Sequence, residues 1–151
     1  MSRTVRLSHA YPFPPALVWR VVTDLDHLKT VTEGLLAFRD LPSGRIHGDQ
    51  RLQVHVSLFG LLPYQPYTMV VAACDDAAMT FLSEEQGAGV KSWRHRLAVC
   101  PTGWGCSVLE TIEIEAGLLT PAFAAWARFM YRRRHRPRLH ILTALTEEGL
   151  A

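Results

Sequence analysis

Two residues draw attention because each is polar on an otherwise apolar strand face: His95 and Glu110. Side chains alternate across a strand. Over residues 91–100 the odd positions are Trp93, His95, Leu97 and Val99, while Ser92, Arg94 and Arg96 form the wet face. Over residues 105–115 the even positions are Cys106, Val108, Glu110, Ile112 and Ile114, against Ser107, Thr111, Glu113 and Glu115. A two-residue turn at Thr102-Gly103 sets Val99 against Cys106, Leu97 against Val108, Trp93 against Ile112, and His95 against Glu110. Opposed side chains lie within about 5 Å. A carboxylate on a greasy face is costly unless it is partnered or protonated. Three readings follow. The pair orients the polar group of an otherwise apolar ligand, it works as general acid and base, or it is a structural polar pair.

The remaining chemistry is sparse. Cys74, Cys100 and Cys106 have no Cys-x-x-Cys spacing and are expected as buried, reduced thiols, with Cys100 and Cys106 on opposite faces. His135 and His140 flank a proline and share no helix face, so no metal site is expected. His55 falls on a polar strand face, and His9 on the apolar face of the first strand. Gly87-Ala88-Gly89-Val90-Lys91-Ser92 lacks the residue order and following helix of a phosphate loop. No Gly-x-Ser-x-Gly elbow occurs. No cofactor is implied.

The elements that must position the pair can be read from periodicity. Residues 4–11 alternate as a strand, and Pro14-Pro15 can open a helix carrying Leu17, Val18, Trp19, Val21 and Val22. Asp26 is a candidate cap for a second short helix over residues 27–32. Six strands follow, over residues 35–41, 50–58, 67–74, 79–84, 91–100 and 105–115. Short turns separate them, with Asp75-Asp76 expected as a tight hairpin, so an antiparallel meander is favoured. The end is helical. Thr120 is the expected N-cap, Leu119, Phe123, Trp126 and Met130 form an apolar stripe, and Pro137 should kink or split the helix near Arg136. The predicted fold class is α+β: a curved antiparallel sheet of about seven strands wrapped on a long C-terminal helix, with two short helices after the first strand.

Length and composition agree with one domain spanning residues 1–151, at 48% hydrophobic and 20% charged residues. No apolar run reaches the roughly 18 residues of a membrane span, and the polar start is unlike a signal peptide. A bacterial-style cytoplasmic protein is expected. The net charge of +2 is unevenly spread. Between Ala116 and Thr146 there is no acid, yet there are six arginines: Arg128, Arg132, Arg133, Arg134, Arg136 and Arg138. The run reads as a solvated basic helix face, with weak contact to an anionic membrane surface through Arg132, Arg133, Arg134, Arg136 and Arg138 as its functional alternative. Nucleic acid is not an expected partner.

Several motifs resemble the START-like superfamily (SRPBCC), which includes lipid-transfer proteins, polyketide cyclases and ligand-binding pollen allergens. They are Phe13-Pro14-Pro15-Ala16-Leu17-Val18-Trp19 leading into the first helix and Asp24-Leu25-Asp26-His27-Leu28 at the inter-helix corner. Gly48-Asp49, Trp93-Arg94-His95 and Ala116-Gly117-Leu118-Leu119 also fit. The resemblance covers essentially the whole chain and implies a helix-grip fold with a cavity between sheet and C-terminal helix. The basic run with Pro137 departs from that pattern. On this basis a small hydrophobic ligand (a lipid, polyketide or similar metabolite) is expected. Val54, Val56, Trp93, Leu97, Val108, Ile112, Phe123, Trp126 and Met130 would line its cavity, and His95 and Glu110 would orient it. A cofactor-free cyclase or hydratase using His95 and Glu110 is the enzymatic alternative.

Overall fold

The computed structural model describes residues 1–149. Strand β1 (Arg3–Tyr11) leads into helices α1 (Pro15–Val22) and α2 (Leu25–Val31). Six strands follow: β2 (Leu36–Arg39), β3 (Arg51–Leu58), β4 (Gln65–Asp75), β5 (Thr80–Gly87), β6 (Val90–Thr102) and β7 (Gly105–Glu115). A 3₁₀ turn, Gly117–Leu119, precedes α3 (Thr120–Arg133) and α4 (His135–Glu147). The strands form one antiparallel sheet in the order β1-β7-β6-β5-β4-β3-β2. Register shifts in the β4–β5 and β5–β6 pairings sharpen its curl, and the C-terminal helices lie on its concave side.

Local signals differ from expectation in instructive ways. Asp24, not Asp26, caps α2, its side chain accepting from the Asp26 amide at 2.8 Å. The hydroxyl of Thr120 bonds the backbone of Ala116 and Gly117 instead of capping α3. The 3₁₀ turn carries Leu118 and Leu119 into solvent, so Leu119 leaves the apolar stripe. The β4–β5 connection is longer than Asp75-Asp76, because Asp75 pairs with Thr80. Ala88-Gly89 makes the tight β5–β6 turn, both residues at positive φ.

Pro137 splits the C-terminal helix at Arg134, three residues before the proline. Its ring clashes with the carbonyl four residues back and it has no N–H to give. The break therefore falls near Arg133, and Pro137 takes a place in the first turn of α4, where its missing donor costs nothing. Beyond Thr120 at the start of α3, the buried positions along both helices are Ala127, Met130, Tyr131, Arg134, Arg138 and Leu142, one continuous face.

Gly105 sets the start of β7. Its φ is +150°, and a Cβ there would collide with the Tyr11 carbonyl oxygen. Only glycine fits beside the chain leaving β1, so Gly105 opens the strand opposite Thr102.

Below α1, Tyr11, Leu17, Val18, Leu97, Val108 and Leu142 form a buried cluster. Each such aliphatic side chain contributes about 1.5–3 kcal/mol. A second cluster under α3 holds Val5, Trp93, Ile112, Ile114, Met130 and Tyr131.

At the edge of this core His9 stacks on His135 with ring centroids 4.8 Å apart, and both Nδ1 atoms are buried without hydrogen-bond partners. Burial pushes both imidazoles below the ordinary 6.5. Arg138 adds to this at both rings, and Glu110 opposes it at His9. The unfolded chain therefore takes up protons below pH 6.5 that the folded protein refuses, so stability falls as pH drops from 6.5 towards the folded-state values. Thermal melts from about pH 7.5 to 5 should show this loss, and the double substitution His9→Leu/His135→Leu should flatten it. An unchanged slope in that variant would assign the loss elsewhere.

Candidate functional site

Between the concave sheet face and α3–α4 lies a cavity of about 250 Å³. Its wall includes Val56, Trp93, His95 and Leu97 from the sheet and Phe123, Trp126 and Met130 from α3. Val54, Val108 and Ile112, expected on that wall, are instead packed into the three hydrophobic clusters. Glu110 also stands off the wall, 1% exposed behind it. Alternation puts a side chain on the concave side but does not say whether a neighbour covers it, and on β7 the helices and β1 do so.

The hairpin register is shifted by two residues from expectation. Val99 pairs with Val108, Leu97 with Glu110, His95 with Ile112 and Trp93 with Ile114, and the turn is Gly103-Trp104. Gly105 accounts for the shift, since it must be the first residue of β7. A slip of two leaves every side chain on its face. His95 and Glu110 thus become diagonal neighbours, still within reach for long side chains. His95 Nε2 lies 2.7 Å from Glu110 Oε2.

The other carboxylate oxygen is taken from the helix. Arg138 Nη1 donates to Glu110 Oε1 at 3.1 Å. Burial alone would raise the Glu110 pKa. The Arg138 charge and the His95 hydrogen bond outweigh it and hold the carboxyl well below the usual range. Burial likewise works against the Arg138 charge, and Glu110 more than restores it. The result is a buried chain, Arg138–Glu110–His95, ending on the cavity wall. Glu110 positions; His95 and Arg138, on either side of it, reach the cavity wall.

A second polar group lies on the same wall. Glu85 accepts from Tyr67 Oη at 2.9 Å and from Ser83 Oγ at 2.6 Å. Trp93 Nε1 donates to Tyr131 Oη at 3.3 Å. Burial raises the pKa of Tyr67 and of Tyr131, so both phenols keep their protons. Tyr67, Ser83, Glu85 and Tyr131 were missed by sequence reasoning, although Phe81, Ser83 and Glu85 alternate along β5 in the way that placed His95 on β6.

The basic run is the expected solvated face only in part. Arg134 and Arg138 are 6% and 4% exposed and line the cavity, because they continue the buried face of α3–α4. That removes both from any membrane-facing surface; Arg128, Arg132, Arg133 and Arg136 remain exposed. His55 is exposed and bonds Asp40 at 3.3 Å. The three cysteines are free, Cys106 buried and Cys74 and Cys100 half-buried. Among the described residues no cluster of three or more His, Cys, Asp or Glu could hold a metal ion, and no helix is long and apolar enough to cross a membrane.

Residues 14–141 match the family described as Domain of unknown function (DUF8410), and so span both short helices, six strands, α3 and the first half of α4. The chain belongs to the DUF8410 family. No curated protein matches it. Solved structures give this DUF8410 chain its wider fold. Protein CV1439 from Chromobacterium violaceum superposes with a TM-score of 0.74 at 12% identity, over 92% of this chain and 96% of that one. TTHA0849 from Thermus thermophilus gives 0.70 at 17%, over 94% and 98%. The Zhui aromatase/cyclase from a Streptomyces species gives 0.65 at 15%, over 100% and 97%. The helix-grip fold is thereby shown for this DUF8410 member. At these identities the likeness concerns fold.

Proposed function

We propose that this chain is a single ligand-binding domain that takes a small, largely apolar molecule into the cavity between sheet and α3–α4. The observation that carries this is a partly open cavity of about 250 Å³ between the sheet and α3–α4 of a 151-residue chain. Interiors are normally packed to the density of organic crystals. The wall is mostly apolar, with Val56, Trp93, Leu97, Phe123, Trp126 and Met130, and a few convergent polar groups, the usual make-up of a ligand pocket. His95, held through Glu110, orients the ligand's polar group. No cofactor is called for. Three free cysteines suit a reducing, cytoplasmic compartment.

Titration with the neutral fluorophore N-phenyl-1-naphthylamine tests the reading. Saturable one-to-one enhancement is expected, and its absence would count against an accessible cavity.

One observation favours a second reading, acid–base catalysis. Nε2–H of His95 points at an ionised Glu110, so the neutral imidazole carries its lone pair on Nδ1, where it can act as a base towards a bound molecule. Cyclisation or dehydration of a poly-β-ketone substrate by the wild type should then fall at least about a hundredfold in His95→Ala, with fluorophore affinity retained. Equal turnover in both proteins would end this reading.

A further inference from the structure

Arg134 is the buried cation of the cavity that lacks a counter-ion. It sits at the α3–α4 break, 6% exposed, with its guanidinium over the Tyr131 ring at 4.2 Å. Its Nε is buried with no hydrogen-bond partner, and among the described residues it makes no ion pair within 4.0 Å. Arg138, one turn further on the same face, provides the contrast, being paired with Glu110.

The carboxylates near this wall are already engaged. Glu110 gives one oxygen to Arg138 and the other to His95. Glu85 gives one to Tyr67 and the other to Ser83. A guanidinium does not shed its proton inside a protein, and an uncompensated buried charge is strongly unfavourable. The fork of Arg134 lies on a cavity wall that is otherwise largely aliphatic and aromatic. A planar anion entering that void would meet the donors that the protein leaves unused.

We infer that the ligand is an acid: a molecule with one carboxylate, seated on Arg134, and an apolar body running along the wall lined by Leu52, Val56, Met69 and Phe123. This rests on the ligand-binding reading above and adds the charge of the ligand to it. Cation–π contact with Tyr131 holds the guanidinium in place before the ligand arrives.

The test is competition against N-phenyl-1-naphthylamine by decanoate and by 1-decanol, which share a chain and differ at the head group. Decanoate should displace the fluorophore from the wild type at least about tenfold more effectively than 1-decanol. In Arg134→Met, which keeps the aliphatic stem, that preference should vanish while the fluorophore still binds. Equal competition by the two compounds in the wild type overturns the acid inference but leaves the cavity reading standing. A preference that survives in Arg134→Met overturns the assignment to Arg134. No fluorophore binding by the wild type is failure of the cavity reading itself. Should Arg134→Met not fold, the wild-type ratio of the two competitors decides.

Discussion

Glu110→Ala is expected to lower the free energy of unfolding by about 3–5 kcal/mol, the usual cost of removing one partner from a buried ion pair. The variant would leave Arg138, 4% exposed, with no carboxylate, and His95 with no acceptor for Nε2–H. Domains of this size are stable by only about 5–15 kcal/mol, so the loss should be plain in urea unfolding at neutral pH. The double substitution Glu110→Leu/Arg138→Met should recover most of it, because an apolar pair of similar shape has neither charge to desolvate. The pH dependence has a definite sign. The folded-state pKa of Glu110 is held below its ordinary 4.5, so the contribution is complete above that value and is lost as pH falls beneath it. A Glu110→Ala variant within about 1 kcal/mol of wild type would show that Arg138 and His95 do not depend on the Glu110 carboxylate.

Val71→Phe should abolish ligand binding without weakening the fold. Val71 is 2% exposed and stands on the cavity wall in β4. A phenyl ring there projects into the void, so the expected change in stability is a gain of about 0.5–2 kcal/mol, as for other cavity-filling substitutions. In a filled core the same change would overpack and cost about 1–3 kcal/mol. Affinity for N-phenyl-1-naphthylamine should fall at least about tenfold. The two readouts together separate an open cavity from a conventional core: stability up and binding down is expected, and stability down with binding unchanged is the contrary result.

Much of the architecture was legible because period-two and period-3.6 patterns survive most local errors. The faces of β6 and β7 could be read from Trp93, His95, Leu97 and from Val108, Glu110, Ile112, even though the turn falls one residue later than expected. A hairpin register depends on which two residues turn, and Thr102-Gly103 and Gly103-Trp104 are equally acceptable from sequence. The deciding fact is the approach of β1 to Gly105, a contact distant in the chain. The site was only half legible for a related reason. Glu110 on an apolar face demanded a partner, and His95 satisfied the demand within one hairpin. Its stronger partner, Arg138, lies 28 residues away and looked like one more charge in a basic run. The spacing of Met130, Arg134, Arg138 and Leu142 did carry the signal. These positions share a helix face, and two arginines on an apolar stripe need buried counter-charges, as Glu110 did. One of them has such a charge. The other, Arg134, faces the void.

The central claim is that this void holds a small molecule, and native mass spectrometry of the protein as purified tests it most directly. The account predicts a stoichiometric adduct above the 17.0 kDa chain, released on denaturation and absent from Val71→Phe. Wild-type protein that flies at the bare chain mass and takes up no added fluorophore, or an adduct held equally by Val71→Phe, would contradict it.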